Sequence, residues 1–117
     1  MNYHFTQKCQ TKTAEQIWQF IQEGLSRDVT IKSTKDKIPY TVHYVTSSAI
    51  SFSAETRNEG IPEVIERVDF ITVLQRLKAL DVFNTSSAKE LFKGTKIYKK
   101  RSPLFALLFS SGVIEFI

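Results

Sequence analysis

The sequence predicts an α+β domain, on three observations. Apolar residues recur at helical spacing over Ala14 to Leu25. From Val29 to Arg67 the period drops to two, with β-branched and aromatic residues alternating with polar ones. After Val68 it returns to 3.6. The predicted order is an N-terminal helix, an antiparallel β-meander of three or four strands, three C-terminal helices and a terminal strand. At 117 residues the chain carries apolar material for one closed core, so residues 1–117 read as a single domain.

Each element has a local cause. Thr13 is placed to cap the first helix, and Gln16 three residues on completes a capping box. Ile17, Phe20, Ile21 and Leu25 share one face with Trp18 beside them, and Gly24 with Ser26-Arg27-Asp28 supplies a stop. Val29 and Ile31 begin the meander, and Ser33-Thr34-Lys35-Asp36-Lys37 reads as a turn. Tyr40, Val42 and Tyr44 then alternate with Thr41, His43 and Val45. After a turn at Ser47-Ser48, Ile50, Phe52 and Ala54 alternate with Ser51, Ser53 and Glu55. Residues 55–60 form a loop, and Val64-Ile65 a last short strand.

Asp69 is the expected N-cap of a helix bearing Phe70, Val73, Leu74, Leu77 and Leu80 on one side. Ser87 and Glu90 repeat the capping-box spacing for a helix running to Lys93, with Gly94 as a left-handed stop. Ser102 followed by Pro103 starts a third helix, apolar nearly all round and so buried, which ends near Ser110 before Gly112. Val113 to Ile117 closes the chain as a strand, either tied into the sheet or marking one domain of a longer protein.

Composition sets further bounds. Hydrophobic residues make up 42% and charged residues 24%, the proportions of a globular chain. The longest near-apolar run, Pro103 to Phe109, falls far short of the ~20 residues that cross a bilayer. Met1 to Phe5 shows no leader pattern, and a single cysteine, Cys9, forms no internal disulfide. The expectation is a cytoplasmic protein with no membrane partner.

Catalysis is not expected. A nucleophile needs a histidine base and an orienting carboxylate, and the chain has only His4 and His43. Cys9 beside His4 reads as an unreactive thiol near a mobile end, and His43 as a solvent-facing or hydrogen-bonded strand residue. Three Cys and His residues in total do not make a four-ligand zinc site. The glycines lie too far apart to cradle a phosphate. No lysine has an acid two positions before it, as many metal-dependent nucleases require, and Glu59, Glu63 and Glu66 read as a solvated strand edge. No cofactor or metal is implied.

Charge is the informative feature. The overall charge is +4, but residues 88–101 alone hold Lys89, Lys93, Lys96, Lys99, Lys100 and Arg101 against one acid, Glu90. That window sums to +5 and the rest of the chain to −1. Tyr98 sits within it, and Ser102 follows at a helix N-terminus whose N–H groups suit a phosphate oxygen. Two readings compete: contact with a phosphate backbone through counterion release, and a solvated basic loop. Within the first, duplex DNA is favoured over RNA, since exposed aromatic pairs for stacking are not clearly marked on the strands and Tyr40, Tyr44 and Phe52 are better used in the core.

Residues 40–117 also carry a resemblance. Glu66-Arg67-Val68-Asp69-Phe70 opening a Leu-rich helix, then residues 85–91, then Lys100-Arg101-Ser102-Pro103 opening an apolar helix, resemble small accessory domains of bacterial HNH-type restriction endonucleases. The resemblance implies recognition or positioning of double-stranded DNA within a restriction or defence system, with cleavage done by a separate nuclease domain. On this reading Lys93, Lys96, Lys99, Lys100 and Arg101 contact phosphates, and Tyr98 and Ser102 set register. The alternatives are an interaction module or inhibitor docking an acidic protein surface, and a homodimer formed through the terminal strand or the apolar helix.

Overall fold

A computed structural model describes residues 2–25, 27–34 and 37–117. In chain order they form β1 (Tyr3–Phe5), α1 (Gln7–Gln10), α2 (Ala14–Gly24), β2 (Val29–Lys32), β3 (Pro39–Val45), β4 (Ala49–Ser53), β5 (Glu63–Glu66), α3 (Arg67–Lys78), α4 (Thr85–Leu91), α5 (Arg101–Ser110) and β6 (Ile114–Phe116). Short 3₁₀ turns occupy Asn58–Gly60 and Tyr98–Lys100. The fold is α+β, with an antiparallel four-stranded sheet in the order β2-β3-β4-β5 and a separate two-stranded ribbon of β1 and β6.

The expected meander is present, and so is the Thr13–Gln16 capping box, with both reciprocal bonds formed. Of the expected turn at 33–37, Lys35 and Asp36 lie outside the described residues, as does Ser26 in the expected helix stop. The flanks of that turn are joined where the Ser33 N–H donates to the Ile38 carbonyl.

Three helix starts differ from expectation by a few residues. Helix α3 begins at Arg67 rather than after Asp69, because β5 runs into it without a turn and Glu66 takes the cap position. Asp69 sits instead in the first turn, where its charge favours the helix dipole. Helix α4 is capped by Asn84 and Ser87, not by Ser87 and Glu90. The Tyr3–Phe83 backbone bridge holds Phe83 extended, so the chain turns helical one residue after Asn84.

Helix α5 starts at Arg101, since the 3₁₀ turn at Tyr98–Lys100 feeds directly into it. Pro103 therefore occupies the third helical position rather than the first, still within the turn that leaves N–H groups unpaired. The C-terminal end is a Schellman motif: the Val113 N–H reaches the Leu108 carbonyl, the Gly112 N–H reaches the Phe109 carbonyl, and Gly112 adopts φ +76°.

The core is organised around α5. Pro103 and Leu107 face the inner side of the sheet, meeting Ile31, Tyr40, Val42, Ile50, Phe52 and Ile65. Phe105 faces the other way, against Tyr3 of the ribbon and Phe83. Helices α2 and α3 pair alongside through an edge-on contact of Trp18 with Phe70 at 5.1 Å. The Trp18 indole N–H is satisfied by the Thr46 carbonyl.

Other expectations are corrected here. Strand β1 and helix α1 had no counterpart in the sequence reading, and Cys9 is fully buried in α1 rather than near a mobile end. Tyr44 does not share the inner face with Tyr40 and Val42, because a β-bulge between Val42 and Tyr44 shifts the phase and leaves Tyr44 36% exposed. No helix among the described residues is long and apolar enough to cross a membrane.

Phe70→Ala empties the space beside Trp18. The expected cost is about 3–5 kcal/mol, read from urea unfolding followed by emission of the chain's single tryptophan.

Candidate nucleic-acid interface

The basic segment between α4 and α5 divides into two sets of side chains. One set belongs to the free edge of β5. Lys100 Nζ donates to the Val64 carbonyl at 2.7 Å, and Lys96 Nζ lies 3.4 Å from Glu66. Lys100 thereby covers a strand carbonyl that would otherwise offer a pairing edge. Lys93 is exposed and forms an (i, i+3) pair with Glu90 at 3.0 Å, whose hydrogen bond raises the lysine pKa.

Arg57 ties this segment to the sheet. Its guanidinium binds Glu63 twice, with Nε 2.6 Å from Oε2 and Nη2 3.1 Å from Oε1. Nη2 also donates to the Lys99 carbonyl at 3.1 Å. The Glu63 hydrogen bond raises the Arg57 pKa against the opposing effect of desolvation. Glu59, Glu63 and Glu66 therefore do not gather: Glu63 is taken by Arg57 and Glu66 by Lys96. Among the described residues no three of His, Cys, Asp and Glu come together.

The second set lines an open cleft of about 890 Å³. Lys89 reaches it from α4, Lys99 from the 3₁₀ turn and Arg101 from the first turn of α5. None of the three forms an ion pair with a described carboxylate, and no described acid lines the cleft. Arg101 is held in place: Nη1 donates to the Tyr98 carbonyl at 2.6 Å, and the guanidinium sits 4.7 Å from the Tyr98 ring centroid. Ser102 Oγ and the Tyr40 hydroxyl share a hydrogen bond of 3.0 Å.

Of the seven sequence candidates, Tyr98, Lys99, Arg101 and Ser102 thus meet at the cleft. Lys93, Lys96 and Lys100 do not. The opposite wall comes from the far end of the sequence. Ser33 and Thr34 at the end of β2 line it, and the Thr34 hydroxyl is hydrogen-bonded to the Tyr3 hydroxyl. Nothing in the local sequence marks these residues, because β1 and the β2 end meet α5 only through tertiary packing.

A second grouping lies on the sheet face turned from the core. His43 Nε2 is 2.7 Å from Ser53 Oγ, and His43 Nδ1 is 3.8 Å from Asp28 Oδ1. The connectivity is that of a nucleophile, base and acid. The Asp28 carboxylate, however, is 78% exposed and outside hydrogen-bond reach of the ring. Water competes for a carboxylate so exposed.

No protein-family model, curated protein or solved structure matches the chain.

Arg57→Ala removes the two bonds to Glu63 and the bond to the Lys99 carbonyl. It is expected to cost about 1.5–3 kcal/mol in urea unfolding, the range for hydrogen bonds to a charged group, and Arg57→Lys should recover only part of it.

Proposed function

We propose that this chain is a non-catalytic DNA-binding domain that grips backbone phosphates with Lys89, Lys99 and Arg101. The observation that carries the reading is the convergence of three cations, from three consecutive elements, on one cleft with no described carboxylate. Each is free to exchange condensed counterions for a direct contact, the sequence-independent source of affinity for DNA. Tyr98 and Ser102 set register at the same cleft. Lys93, Lys96 and Lys100 add general positive potential, with their first commitments to Glu90 and the β5 edge.

The resemblance to accessory domains of HNH-type restriction endonucleases supports the same assignment, with recognition or positioning here and cleavage on a separate nuclease domain of a bacterial defence system. The loose Asp28–His43–Ser53 series agrees with a domain that does no chemistry of its own. A fluorophosphonate probe should leave Ser53 unlabelled by mass spectrometry. Labelling that disappears in His43→Ala would overturn the non-catalytic assignment.

The binding test uses a labelled duplex with a single-stranded tail, followed by fluorescence anisotropy at about 50 and 200 mM salt. Wild-type affinity should fall steeply between the two. In the Lys89→Ala, Lys99→Ala, Arg101→Ala triple variant, binding should weaken and the log–log salt slope flatten by about two to three. The Lys93→Ala, Lys96→Ala, Lys100→Ala triple variant should keep most of the affinity, with folding of both checked by Trp18 emission. Equal losses in the two variants would sink the cleft assignment. Wild-type protein that ignores the probe at low salt would overturn the DNA reading and favour an acidic protein surface as the ligand.

A further inference from the structure

Resting on the DNA-binding reading above, we infer that the cleft admits a single-stranded stretch of nucleic acid, such as an overhang or a frayed end, rather than the backbone ridge of an intact duplex. The first ground is shape. A volume of about 890 Å³ lies within the ~300–1,000 Å³ range of pockets that enclose most of a ligand's surface. A paired duplex keeps its bases stacked inside and offers such a cleft only its outer phosphates, leaving the floor unfilled. An unpaired strand can enter with phosphate, sugar and base.

The second ground is the chemistry of the floor and walls. The cations lie at α4, at the 3₁₀ turn and at the entry to α5, all on one cleft. Tyr3 and Phe105 line the same cleft, and the Thr34 and Ser102 hydroxyls there offer donors and acceptors without base preference. The Arg101 guanidinium is already packed on the Tyr98 ring, and such an arginine–aromatic pair is a platform on which an unpaired base stacks. A base paired within a duplex has no free face to give it. This inference departs from the duplex preference, which rests on the use of Tyr40, Tyr44 and Phe52 in the core and on the resemblance.

The experiment compares three labelled probes of one sequence by anisotropy at about 50 mM salt: a single strand, a blunt duplex, and the duplex with an overhang. The single strand and the overhang should bind about tenfold more tightly than the blunt duplex, the scale of one stacked base. Tyr98→Ala removes the ring under the Arg101 guanidinium from the cleft wall without changing charge, and should reduce that preference to less than about twofold. Tyr98→Leu, which keeps apolar bulk, serves in its place if Tyr98→Ala does not fold. A blunt duplex that binds as tightly as the single strand would overturn the inference while leaving the DNA-binding reading intact. A preference that survives the wall variant would also overturn it. Failure of all three probes would remove both readings together.

Discussion

The burial of α5 on both of its sides is the constraint on which the rest of the molecule depends. A helix that is apolar all round cannot rest on a single sheet and leave its other face in water. Pro103 and Leu107 are covered by the four-stranded sheet, and Phe105 is covered by β1 and Phe83. Each fully buried Leu or Phe contributes roughly 1.5–3 kcal/mol of transfer free energy, so the two sheets are held by one helix rather than by each other. The helix in turn carries Arg101 and Ser102 at its start, which anchors the candidate interface to the buried core.

That geometry explains why the basic segment is divided. Its chain must descend from α4 to the start of α5 along the exposed edge of β5. Side chains on the sheet side are therefore committed to Val64 and Glu66, while those on the other side face the cleft. Arg57 fixes the division by bonding the strand residue Glu63 and the Lys99 carbonyl with one guanidinium. Charge that looks uniform along the chain is thus partly neutralised by structure, and only the fraction left over is available to a ligand.

How far these features could be read beforehand follows from their physical range. The α2 cap, the inner-face alternation of Ile50 and Phe52, and the buried character of residues 103–108 depend on neighbours within a few positions, and all are visible in the sequence. Ribbon strand β1 is three residues long and has no period to show; its stability comes from β6 and Phe83. Asn84 and Ser87 are both good cap residues, and the distant Tyr3–Phe83 bridge decides between them. Tyr44 left the expected face through a bulge that alternation alone does not reveal. For the site, counting lysines marks a charged segment, but a count cannot tell which ammonium groups the protein itself consumes.

The ribbon also bears on how the domain comes into being. Thr6 donates to the Gly112 carbonyl across 106 positions, and Tyr3 is paired with Phe116. Closing so long a loop costs entropy that no local contact offsets in advance. During synthesis Tyr3 emerges well before residues 114–116, and until they follow it lacks its strand partner. Tyr3 also lines the cleft. A nascent chain therefore displays its lysines before the ribbon that shapes the cleft has closed.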